Sequence, residues 1–116
     1  MHKKGTLDAA AGGCLVGTKL AGESGFHCDK VEVSFLKPGP ADYPGKLHIH
    51  EQMDEIVIVP KGKFTVEMDG EQIEINSREY VFRGSGSPGR ALAADRGTEI
   101  LIIKAPSVDG DVRILE

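Results

Sequence analysis

The sequence predicts an all-β fold, one antiparallel sandwich or barrel, and three observations carry that prediction. Short candidate strands recur at the roughly 8–12-residue spacing typical of sandwiches and barrels. Glycine occupies 15 positions and proline 6, which supplies turns between those runs without low complexity. No stretch has helical period over a useful length; only 91–95 reads as a helix start, and it is too short to matter. At 116 residues the chain holds one core. With 40% hydrophobic and 28% charged residues it has the composition to bury that core. A single domain over 1–116 is expected, with its core at about 14–105 and a flexible N-terminal segment at about 1–13.

The candidate strands are 14–20, 31–36, 45–50, 55–59, 63–68, 72–75, 80–82 and 99–104. Between 36 and 45 the connection Lys37-Pro-Gly-Pro-Ala-Asp-Tyr-Pro-Gly45 carries three prolines and reads as ordered and stiff. Pro60-Lys61-Gly62 supplies a fixed φ and then a glycine, which suits a tight turn. Asp69-Gly70 lies between Phe64-Thr-Val-Glu-Met68 and Gln72-Ile-Glu-Ile75, the strongest short-range hairpin signal in the chain. Residues 83–90, Arg-Gly-Ser-Gly-Ser-Pro-Gly-Arg, read as a small, flexible, polar loop. Two strands lack alternation: Ile56-Val57-Ile58-Val59 and Ile100-Leu101-Ile102-Ile103 are apolar on both faces. Such strands need cover on both sides. A second copy of the chain is the expected second cover, making a homodimer.

Composition excludes several functions. Fourteen lysines and arginines against 18 acids give a net charge of −4, so no basic surplus exists to neutralise a phosphate backbone. The absence of tryptophan argues against an aromatic cage or base-stacking platform. Apolar runs fall far short of the roughly 20 residues that span a bilayer. Lys3 and Lys4 precede small residues in the manner of a secretion signal, but Asp8 interrupts the apolar region and the alanines and glycines after it are too weakly hydrophobic. Cys14 and Cys28 form no C-x-x-C pair and are too few for a disulfide scaffold. Reduced thiols and a cytoplasmic location follow as the expectation.

The chemically informative segment is Gly45-Lys-Leu-His-Ile-His-Glu-Gln-Met-Asp-Glu-Ile-Val-Ile-Val-Pro-Lys-Gly62. His48 and His50 are two apart on a candidate strand and therefore share a face. Residues 51–54 are polar enough to turn the chain, and Glu55 opens the next strand facing back toward His50. Two imidazoles and a carboxylate then converge on an inner wall, where leaving them unpaired is costly. A divalent transition metal removes that cost, since neutral imidazole and carboxylate are its natural ligands. The competing reading is a solvated hairpin with two surface histidines.

This segment resembles the cupin family of double-stranded β-helix, or jelly-roll, barrels. Its first motif runs glycine, five residues, H-x-H, three or four residues, E, six residues, G. His48-Ile-His50, Glu55 and Gly62 match; Asp42 stands at the leading glycine, with Gly39 and Gly45 on either side. The second motif departs: Gly84 stands at its proline, Gly86 matches its glycine, and Gly89 and Ala93 stand at its histidine and asparagine. The resemblance covers about 31–105. It implies a jelly-roll barrel with a metal site at His48, His50 and Glu55, the ion being iron, manganese, nickel or zinc. Lacking the third histidine, the site has more open positions. His27 is the remaining histidine able to approach from a neighbouring strand, and His2 sits at the end of the chain.

Two functions follow as expectations. One is a metal-dependent enzyme of isomerase, lyase or dioxygenase type acting on a small, oxygen-rich, anionic substrate. The other is a non-catalytic module binding a small sugar or acid without metal. Arg83 and Arg90 are candidate clamps for a carboxylate or phosphate, and Tyr43 is a further candidate contact, as an acid–base group alongside Tyr80. Gly84-Ser-Gly86-Ser-Pro-Gly89 spells G-x-G-x-x-G, but too little chain follows for a βαβ nucleotide fold. Ser85 and Ser87 have no nucleophile context. His27 and Cys28 face opposite ways as strand neighbours, which leaves Cys28 as a small buried residue. Glu71, Glu74 and Glu79 read as a solvated face.

Overall fold

The computed structural model describes residues 2–9, 13–20, 26–39 and 43–116. Positions 40–42 of the proline-rich connection therefore lie outside the described residues. Among the described residues ten strands form two five-stranded antiparallel sheets. The first sheet runs β1 (Cys14–Val16), β2 (Glu32–Leu36), β9 (Glu99–Ala105), β4 (Asp54–Lys61), β7 (Glu79–Arg83). The second runs β10 (Arg113–Ile114), β3 (His48–Ile49), β8 (Gly89–Ala94), β5 (Lys63–Met68), β6 (Glu71–Asn76). Their facing sides form a jelly-roll barrel. A 3-10 turn lies at Leu7–Ala9, and among the described residues no helix is long and apolar enough to cross a membrane.

Alternation builds the core. Val57 and Val59 of β4 and Ile100 of β9 face Phe64, Val66 and Met68 of β5 and Ile75 of β6, all buried. Removing each such side chain from water contributes about 1.5–3 kcal/mol. The β5–β6 hairpin turns at Asp69 and Gly70 with φ of 55° and 78°, the paired left-handed geometry that Asp-Gly supports. Pro60 falls inside β4, where the register against β9 shifts between Ile58 and Lys61; a residue with no N–H is tolerated at such an irregularity.

Four expectations change. The strand placed at 14–20 is confined to Cys14–Val16, and that placed at 45–50 to His48–Ile49. The helix start at 91–95 is instead most of strand β8, which lies between β3 and β5. Its alanines and leucine favour helix locally, but ladder hydrogen bonds on both sides override that preference. The loop placed at 83–90 is correspondingly shorter, and β10 adds a strand that the sequence did not show.

The first sheet's inner face carries a charged layer beside the apolar one. Glu32 lies opposite Lys104, Lys104 opposite Glu55, and Glu55 opposite Arg83, so four adjacent strands bring alternating charges into register. Isolated charges there would be costly to bury; neighbours of opposite sign offset the cost.

Candidate functional site

A cavity of about 150 Å³ lies between the sheets at this charged layer. Val57, Phe64, Val66, Met68 and Ile102 form its apolar wall, and His48, His50, Glu55, Arg83 and Lys104 its polar one. The turn after β3 and the entry to β4 thus bring the two histidines and Glu55 to one place. β7 ends on Arg83 directly across from Glu55.

Both imidazoles are held through Nδ1 against backbone carbonyls: His48 against Lys46 O at 2.7 Å and His50 against Asp111 O at 2.7 Å. Those bonds assign the proton to Nδ1 and leave the Nε2 lone pairs facing the cavity. Arg83 Nη2 stands 3.3 Å from His48 Nε2 and 3.5 Å from Glu55 Oε2. His50 Nε2 is 3.5 Å from the same Glu55 oxygen, buried, and without a hydrogen-bond partner among the described residues.

Burial lowers the His48 imidazole below its ordinary value, and the Arg83 charge adds to the effect against the raising influence of the Lys46 carbonyl. His48 is therefore neutral at pH 7 and accepts from Arg83. Burial pushes the Glu55 carboxyl up, but contact with His50 and the charges of Arg83 and Lys104 outweigh it and hold the group below its ordinary value. Glu55 is an anion facing one guanidinium and one ammonium.

Gly89 pairs directly with His48 across β3 and β8 and points to the same side. A Cβ built on it would overlap Arg83 Nη1 and lie 3.2 Å from Arg83 Cδ and Cζ. The guanidinium has taken the space beside the glycine. This bears on the expected metal. Among the described residues no three or more His, Cys, Asp or Glu side chains are grouped to hold an ion. The point where His48 and Glu55 converge is occupied by Arg83. As placed, the residues do not fit a divalent metal.

The remaining candidates fall elsewhere. Arg90 borders the cavity, but its Nε bonds Glu67 Oε1 at 3.1 Å, opposite it on β5. Tyr43 packs behind the cavity wall against Phe64, ring centroids 6.0 Å apart, and is not among the lining residues. His27 is exposed and does not reach the cavity, so no third histidine arrives from there. Cys28 is half-buried and free.

Two participants were missed. Lys104 closes the apolar run of β9, and its place after Ile100 and Ile102 on the alternating face was a usable signal. Asp111 offered none. Its carboxylate accepts the backbone N–H of Glu51, Gln52 and Met53 at 2.9, 2.9 and 3.0 Å while its carbonyl holds His50.

No family model matches the chain, and no curated protein matches it by sequence. Solved structures match it by fold. PAC13 from Streptomyces, a nucleoside dehydratase, superposes with a TM-score of 0.73 over 100% of this chain and 92% of its own, at 10% identity. KdgF from Halomonas sp. gives 0.61 over 72% of this chain and 74% of its own, at 22% identity. The DMSP lyase DddQ from Ruegeria pomeroyi gives 0.63 at 22% identity over 87% of this chain, which spans about half (49%) of that protein. At such identities the likeness is one of fold, and the fold shared is the jelly-roll barrel.

Proposed function

We propose that this chain is a small cupin-type protein whose barrel takes a small, oxygen-rich anion, with Arg83 as its anchor and neutral His48 placed for proton transfer. The observation that carries the reading is the buried Arg83 guanidinium facing the cavity, with the named contacts engaging Nη2 alone. A guanidinium has five donors in a fork that suits a carboxylate. Lys104, 17% exposed and 3.7 Å from Glu32, adds positive charge at the same wall. The volume, about 150 Å³, is below the roughly 300 Å³ at which drug-sized pockets begin, and suits a small molecule. Barrels of this shape named as a dehydratase and a lyase support an enzyme of lyase type, whose eliminations need a base beside the bound anion.

A second reading keeps the expected metal enzyme, with iron, manganese, nickel or zinc on His48, His50 and Glu55. The unpartnered His50 Nε2 favours it. Thermal melting of untagged protein separates the two, because a ligand bound only to the folded state raises Tm. The expected result is stabilisation by one of a panel of small hydroxy- and keto-acids, abolished in Arg83→Gln, with no shift from the four metals. A metal shift without any carboxylate shift gives the site to the ion. Turnover of the stabilising acid then distinguishes an enzyme from a binding module.

A further inference from the structure

We propose that Arg83 is the built-in cation of this site, standing where a divalent ion would otherwise sit, and that Gly89 is glycine because the guanidinium fills its side-chain space. The inference goes beyond anion binding and stands whether or not an anion is the ligand.

The argument begins with the donors. His48 and His50 each spend Nδ1 on a backbone carbonyl, so each turns an Nε2 lone pair inward. Glu55 adds a carboxylate. Three electron-pair donors facing one another in a buried place repel unless something positive lies among them. Arg83 Nη2 meets that need for two of them, at 3.3 Å from His48 and 3.5 Å from Glu55. The third, His50, is left without a hydrogen-bond partner, its Nε2 standing 3.5 Å from the same Glu55 oxygen that Arg83 already engages. A planar fork of fixed geometry serves two of three converging donors, whereas a spherical ion serves all three. The orphaned nitrogen is thus the mark of a guanidinium in an ion's place.

Space gives the second line. Gly89 lies in β8 opposite His48, outside the left-handed region, so its backbone is open to any residue. The three atoms nearest to a Cβ there all belong to Arg83: Nη1 would overlap it, and Cδ and Cζ would lie 3.2 Å away. The arginine and the glycine are one device. Removing the first leaves a vacancy bounded by two imidazoles, a carboxylate and a strand position able to carry a side chain.

The test uses the full chain, untagged, with zinc and nickel as probes and EDTA as control. Wild type is expected to hold no zinc or nickel after desalting and to melt at the same temperature with either metal or EDTA. Arg83→Met, which keeps most of the aliphatic stem, is expected to bind one equivalent of zinc roughly ten- to a hundredfold more tightly than wild type, the scale of a change in the ligand sphere. Adding His50→Ala should abolish that gain. A metal-free readout accompanies it: Gly89→Ala should lower the Tm of wild type and leave that of Arg83→Met unchanged, a coupling between residues in contact. Wild type binding zinc as tightly as Arg83→Met overturns the proposal. So does a failure of Arg83→Met to bind zinc while folded, or an equal cost of Gly89→Ala in both backgrounds. If Arg83→Met does not fold, the wild-type metal titration and the response of wild type to Gly89→Ala still decide: bound zinc, or an unchanged Tm, overturns it.

Discussion

Asp111 does more for the site than its exposed surroundings suggest. It reaches His50 from 61 positions away, and its carboxylate closes the three N–H groups of the turn that leads from His50 to Glu55. Hydrogen bonds to a charged acceptor are worth about 1.5–3 kcal/mol, so Asp111→Ala should cost at least about 2 kcal/mol in urea unfolding, with Asp111→Asn costing less. The pH dependence has a definite sign. Burial raises the Asp111 carboxyl, but the N–H groups of Gln52, Glu51 and Met53 outweigh it and hold it below its ordinary 3.8. Glu55 is likewise held below its ordinary 4.5. The unfolded chain therefore binds more protons in the acid range, and stability rises with pH there. Midpoints of urea unfolding should be level near pH 7, begin to fall below about pH 6.5 as the unfolded His48 takes a proton that the folded imidazole resists, and fall further below about pH 5 as the pH drops toward the folded carboxyl values. In Asp111→Asn the fall should be shallower.

Strand β8 shows how pairing decides an element that local preference leaves open. Its run Ala91-Leu-Ala-Ala94 favours a helix, yet it lies between β3 and β5, with Ala93 exposed opposite Thr65. Exposed strand positions prefer β-branched residues, on a scale that spans about 1 kcal/mol, whereas helices prefer alanine. Ala93→Thr should accordingly raise the urea midpoint by a few tenths of a kcal/mol in stability; a helix at this position would show the opposite sign.

At the scale of the whole molecule, the outer face of the first sheet is apolar across three strands. Ile56 and Ile58 lie beside Phe82 and Tyr80 on one side and Ile103 and Leu101 on the other. Tyr80 is 69% and Phe82 58% exposed, while the isoleucines and Leu101 are half-buried. We expect this face to pair with a second copy. Light scattering on a sizing column should report about 25 kDa, twice the 12.4 kDa chain, and Phe82→Glu should return it to the chain mass. A wild-type monomer at micromolar concentration removes the dimer reading.

The sequence by itself determined the all-β class, the Asp69-Gly70 hairpin and the grouping of His48, His50 and Glu55. Each depends on residues a few positions apart, where the period of two and the turn chemistry act directly. It also marked position 89 as a departure without showing what the departure was for. Only the tertiary structure decided that, because Arg83 and Gly89 belong to different sheets and meet across the barrel. The same holds for Asp111, whose partners are 58 to 61 residues away, and for the four-strand row Glu32, Lys104, Glu55, Arg83. Which charge sits beside which is set by register between strands remote in sequence, and register is fixed by burying whole apolar faces together. No local pattern around any one of those residues carries that information.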